Sequence, residues 1–139
     1  MSHQAKLIHI ICTDPRIQKI YHDYLAENNL FGEFDSIEYE NPILDFLDEQ
    51  KRPAMIARLK LYVKLHGAKK IVFFDHFDCG AYKEHGYKFN DEAEEASVHM
   101  ANNQQVMEIL KKELPEMEAE VKYIKIDGQG GCSWWQPQN

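Results

Sequence analysis

The stretch Lys70-Ile71-Val72-Phe73-Phe74-Asp75-His76-Phe77-Asp78-Cys79-Gly80 governs the reading of the whole chain. Lys70 to Asp75 is the clearest buried strand: a short apolar run, β-branched and aromatic, too brief for a helix. A strand apolar on both faces belongs in a parallel sheet covered on both sides. In such sheets ligands bind outside the carboxyl ends of the strands. Asp75-His76 stand at that end, and Cys79 follows in the next turn.

Outward from this strand the pattern alternates. Pro53 opens a helix through His66, with Ile56, Leu59, Leu61, Val63 and Leu65 among charges, and Gly67 is its stop signal. Lys6 to Cys12 is a second buried strand, rich in Ile. Pro15 to Asn28 carries Ile17, Ile20, Tyr21, Tyr24 and Leu25 at the offsets of an amphipathic helix, with Thr13 or Asp14 as its cap and Pro15 at the first helical position. Phe31 to Tyr39 is a weaker strand, and Ile43 to Leu47 a short helical turn. Downstream, Glu84 to Glu95 reads as a polar loop leading into a helix, Ala96 to Leu114, which stops before Pro115. Glu120 to Ile126 is the last strand, ended by Gly128-Gln129-Gly130-Gly131. The tail from Gly128 to Asn139 reads as loose, although Trp134-Trp135 would prefer a docking surface. Strands alternating with helices predict an α/β fold with a mostly parallel central β-sheet flanked by helices and right-handed crossovers.

The chain has 139 residues, 44% of them hydrophobic and 28% charged, which fits one globular domain spanning 1–139. No apolar run approaches the ~20 residues of a membrane span, and the start lacks a signal-peptide pattern. A cytoplasmic protein is expected. Sixteen basic against 23 acidic residues give a net charge of −7, which argues against nucleic-acid binding.

The three cysteines, Cys12, Cys79 and Cys132, are odd in number, so a disulfide framework is not expected. Each is a small core residue, a metal ligand or a reactive thiol. If the strands ending at Cys12 and Asp75 are neighbours, Cys12, His76 and Cys79 converge at one edge of the sheet. Two thiolates and an imidazole are good zinc ligands and leave a fourth position for water or a carboxylate. A cysteine at a strand end is commonly just a small hydrophobe, and His-x-x-Cys alone is weak. Cys12-Thr13-Asp14-Pro15-Arg16 is far less expected by chance in a chain with three arginines, and it falls on the other strand such a site would need.

At these residues the chain resembles the β-class carbonic anhydrases. That family carries Cys-x-Asp-x-Arg after its first core strand and His-x-x-Cys-Gly after a later one, here Cys12 to Arg16 and His76 to Gly80. The resemblance covers Lys6 to about Gly128, specific at the motifs and loose between them. It implies Zn²⁺ held by Cys12, His76 and Cys79, and an Asp14–Arg16 pair that orients a zinc-bound hydroxide for attack on CO₂, releasing bicarbonate. It implies a second state in which Asp14 leaves Arg16 and ligates zinc. It also implies a homodimer or higher homo-oligomer, while charge and hydropathy leave no nucleic-acid or membrane partner expected.

The pattern departs from the family at three places. Pro15 replaces a small residue, removing an N–H and restricting Asp14 to extended backbone. The family's basic-Asn segment is here Glu38-Tyr39-Glu40-Asn41-Pro42-Ile43, with Asn41 its one remnant. Cys12 also lies close to the start, so dimerisation is expected through a reduced contact, with Trp134-Trp135 docking on the partner or on its own subunit. His22, His85 and His99 are candidate proton relays, although each reads first as an exposed or capping histidine. Tyr82, Tyr87 and Phe89 are candidates for the pocket mouth or for ordinary packing, and Cys132 reads as incidental. Three rivals to CO₂ hydration stay open: the same chemistry on carbonyl sulfide or carbon disulfide, a non-catalytic zinc protein, and a thiol redox protein that pairs Cys12 with Cys79.

Overall fold

The structure is a computed structural model that describes residues 3–137. Its centre is a five-stranded sheet in the order β2-β1-β3-β4-β5. The strands are β1 (Leu7–Cys12), β2 (Phe34–Tyr39), β3 (Lys70–His76), β4 (Glu118–Ile126) and β5 (Cys132–Trp135). The first four run parallel, and β5 turns back antiparallel on β4. The helices are α1 (Gln18–Glu27), α2 (Arg52–His66), α3 (Gly80–Glu84) and α4 (Glu92–Glu113). Two 3₁₀ turns, Pro15–Ile17 and Pro42–Leu47, follow β1 and β2.

The pleat divides each central strand between two cores. Ile8, Ile10, Ile71 and Phe73 pack with Leu59 of α2 and Val106 and Leu110 of α4. Ile11, Val72 and Phe74 pack on the other face with Tyr21 and Leu25 of α1. The sheet is therefore covered on both sides, as the continuous apolar strands required. α2 ends where expected: Gly67 takes φ +73 and its N–H donates to Val63 O at 2.9 Å.

Three local readings differ. The segment after Pro15 is a 3₁₀ turn before it becomes α-helical at Gln18. The polar stretch Glu84 to Glu95 is flanked by the short α3 and by an earlier start of α4, at Glu92. Asp91 caps that start by accepting from Glu94 N at 2.8 Å, and the acids Glu92, Glu94 and Glu95 suit the positive end of the helix dipole. The tail is not loose: Cys132–Trp135 is the fifth strand. Its two tryptophans pack on their own subunit, Trp134 edge-on to Tyr24 at 5.4 Å and Trp135 edge-on to Phe77 at 5.1 Å. Gln136 and Pro137 follow it, and residues 138–139 lie outside the described residues. Among the described residues no helix is long and apolar enough to cross a membrane.

Candidate metal centre

Because β1 lies beside both β2 and β3 in parallel, their carboxyl ends open at one edge. Cys12 ends β1, His76 ends β3, Cys79 caps α3, and Asn41 lies two residues beyond β2. The ligand atoms of Cys12, His76 and Cys79 all lie within 4.8 Å of one another, and all three residues are buried. This is the convergence the two motifs predicted.

The donor set fits a metal. His76 Nδ1 donates to Phe77 O at 2.8 Å, which fixes the tautomer and leaves Nε2 as an acceptor. That Nε2 is buried with no hydrogen-bond partner, a costly arrangement unless something occupies the space it faces. The neighbouring Cys12 and Cys79 sulfurs push the Cys79 thiol down and the Cys12 thiol up, which favours the thiolate at Cys79. Burial disfavours a charged His76, but the neighbouring Cys79 sulfur, the Phe77 carbonyl and Asp75 together outweigh it and lift the imidazole pKa. Two thiolates with an imidazole are a donor set common at zinc sites.

Asp14 caps the Pro15–Ile17 turn in extended backbone, accepting from Arg16 N at 2.9 Å. Pro15 costs nothing there, since the first residue of a helical turn has no intrahelical use for its N–H. Arg16 grips the same carboxylate side-on, Nε to Oδ1 at 3.1 Å and Nη2 to Oδ2 at 2.7 Å. This grip holds the Asp14 carboxyl below its ordinary pKa and raises that of Arg16. Asp14 Oδ2 stands 4.0 Å from His76 Nε2. An ionised carboxylate thus sits at the mouth of the Cys12–His76–Cys79 cluster.

Several residues at the site were not assigned a role from sequence. Asn41, 2% exposed, donates its backbone N–H to Cys12 Sγ and its Nδ2 to Cys79 Sγ, both at 3.4 Å. Asp78 accepts from Arg16 Nη1 at 2.8 Å, and Cys132 Sγ donates to Arg16 O at 3.1 Å. The relay candidates separate. His22 is exposed, and His85 donates from Nδ1 to Ala81 O at 2.7 Å as a helix-end residue. His99 is fully buried, stacked on Tyr82 at 3.9 Å and bonded through Nδ1 to Asp75 Oδ2 at 2.8 Å. Asn103 donates to the same oxygen at 2.9 Å, so His99 belongs to a buried polar cluster behind β3. Tyr82 is core, whereas Tyr87 and Phe89 line a cleft of about 510 Å³ with Asp78 and Glu95. A cleft of about 740 Å³ lies beside Gly67 and Pro115 at the opposite end of the sheet.

Comparison with known proteins gives relatives over nearly the whole chain. An uncharacterized protein of Rickettsia conorii is 24% identical over 90% of this chain and 70% of its own length. An uncharacterized protein of Rickettsia bellii is 22% identical over 90% of this chain and 79% of its own. Among solved structures, the β-carbonic anhydrase CafA of the fungal pathogen Aspergillus fumigatus matches with a TM-score of 0.47 and 14% identity, over 96% of this chain and 76% of that one. A family model described as "Putative carbonic anhydrase" matches residues 2–129, a span holding both motifs and every residue of the metal-facing cluster. The chain belongs to that carbonic anhydrase family.

Proposed function

We propose that this chain is a zinc-dependent lyase that interconverts CO₂ and bicarbonate. The observation that carries the reading is the buried, unpartnered Nε2 of His76, set among the two cysteine sulfurs with an arginine-held carboxylate 4.0 Å away. Zinc held by Cys12, His76 and Cys79 would supply a Lewis acid that makes hydroxide available near neutral pH.

The chain's own residues do the rest. Asp14, kept ionised by Arg16, can only accept hydrogen bonds. Oδ1 is occupied by Arg16 N and Nε, while Oδ2 accepts one bond and keeps acceptor capacity toward the site. It therefore orients the attacking oxygen so that a lone pair points at the CO₂ carbon. Asn41 stabilises the thiolates from behind, and the buried strand ends exclude bulk water. The ionised Asp14 carboxylate beside the ligand atoms favours this reading over a zinc kept only for structure.

The reading extends to a homodimer in a reducing, cytoplasmic setting. Three free thiols support the setting. Leu61 and Leu65, 47% and 53% exposed and one turn apart on α2, support self-association. The test is elemental analysis of protein purified without chelator, followed by stopped-flow CO₂ hydration, with carbonyl sulfide and carbon disulfide as competing substrates. The expected result is about one zinc per chain and CO₂ turnover that needs it. Zinc-loaded protein without turnover on CO₂ would overturn the activity, and no zinc uptake under reducing conditions would overturn the centre.

A further inference from the structure

Arg16 is shared between two carboxylates. Beside its side-on grip on Asp14, its Nη1 donates to Asp78 Oδ2 at 2.8 Å and its Nη2 to Asp78 O at 2.9 Å. Four of the guanidinium's five N–H donors are thereby committed. Asp14 alone would leave Arg16 on a long, exposed side chain free to swing; the two bonds from Asp78 fix the plane of the guanidinium as well as its position.

Asp78 is itself held from two more sides. Lys83 Nζ donates to its Oδ1 at 2.7 Å, and its backbone N–H donates to Glu95 Oε2 at 2.7 Å. Its φ is +54, a left-handed conformation that aspartate adopts more readily than most residues. The turn between the two ligands His76 and Cys79 is thus pinned by α3 and α4 so that one carboxylate faces Arg16. Asp14, Arg16, Asp78 and Lys83 form a chain of alternating charge across the gap between β1 and β3.

Resting on the metal reading above, we propose that Asp78 is a positioning residue: it locks Arg16 onto Asp14 and so keeps the Asp14 carboxylate from occupying the fourth position of the metal. A carboxylate is a competent zinc ligand, and Asp14 Oδ2 lies only 4.0 Å from His76 Nε2, one of the three atoms that would hold the ion. Arg16 and the metal compete for the same oxygen. Asp78, which touches neither substrate nor metal, tips that competition toward Arg16.

The test uses the whole chain loaded with cobalt, whose visible absorption reports the ligand set, titrated with azide as a probe of the open position. Asp78→Gly removes the carboxylate and suits φ +54; Asp78→Asn keeps the shape and tolerates that φ while removing the charge. Asp78→Gly is expected to weaken azide binding at least tenfold, with Asp78→Asn between it and wild type. Adding Asp14→Ala to Asp78→Gly is expected to restore wild-type azide affinity, because the competing carboxylate is gone. A role for Asp78 in stability alone would leave the double variant as weak as Asp78→Gly, and that result overturns the inference. So does equal azide affinity in wild type and Asp78→Gly. A wild-type chain that takes up no cobalt, or whose cobalt spectrum ignores azide, refutes the metal reading and the inference together.

Discussion

Replacing Asn41 with glycine should weaken zinc binding about tenfold while leaving the fold intact. Asn41 donates twice into the centre: its backbone N–H to Cys12 Sγ, its Nδ2 to Cys79 Sγ, both at 3.4 Å. Glycine keeps the first bond and deletes the second. A hydrogen bond to a charged acceptor contributes about 1.5–3 kcal/mol. At this length, to sulfur, the lower figure applies, and ~1.4 kcal/mol is a factor of ten in affinity. Backbone strain separates this effect from a general loss of stability. Asn41 sits at φ 35, ψ 76, in the left-handed region, where glycine is at ease and alanine costs about 1–2 kcal/mol. Asn41→Ala should therefore lose the same affinity and also melt earlier, whereas Asn41→Gly should lose affinity alone. The assay is competition for zinc against a chromophoric chelator under reductant at pH 7, paired with thermal melts of the metal-free proteins. Zinc affinity of Asn41→Gly within about twofold of wild type would refute the argument that this amide supports the thiolate.

Other consequences are as direct. Asp14→Ala should keep its zinc and lose CO₂ hydration by about 10²-fold in stopped-flow assays, the usual cost of losing an orienting contact; unchanged turnover would refute the role of Asp14. Cys79→Ser should abolish the rise in melting temperature that zinc gives the wild type, and an equal zinc-induced shift in both would remove Cys79 from the ligand set. His9 is fully buried against Phe34 and Phe74, and burial lowers its pKa from 6.5 to about 4. The unfolded chain binds the extra proton between those values, so this stability is complete above pH 6.5 and lost as pH falls toward 4, by at most about 3 kcal/mol. Urea midpoints of His9→Phe should fall less steeply over that window, whatever constant offset the unpartnered Tyr21 hydroxyl adds; an unchanged slope would refute it. Light scattering should give twice the chain mass for wild type and the chain mass for Leu61→Lys/Leu65→Lys, and a monomeric wild type would refute the dimer.

How far the sequence was legible depended on what each residue had to do alone. β1 and β3 were readable because strands covered on both faces must be apolar throughout, and Gly67 announced the end of α2. β5 was not readable. An edge strand of four residues, Cys132 to Trp135, is held by backbone pairing to β4, which no side-chain period reports. The start of α4 looked like a loop because Glu92, Glu94 and Glu95 are polar, although they are what a helix N-terminus favours. At the site, Cys12, His76, Cys79, Asp14 and Arg16 were readable because cysteine and arginine are scarce, three of each, and their spacing is unusual. Asp78 and Glu95 are two among 23 acids. Only the crossing of β1 beside β3 selects Asp78 as a partner for Arg16, and only the packing of α4 brings Glu95 to the Asp78 amide, 17 residues away.

The cluster draws its donors from two strands that are adjacent in the sheet and distant along the chain. An ion bridging Cys12 and His76 would close a loop of about 65 residues, a cross-link that removes about 4 kcal/mol of unfolded-chain entropy. A metal held there would be a removable staple across the central strand pair. Cellular zinc supply would set the protein's lifetime as well as its turnover, because the unloaded chains are the ones that open and meet proteases.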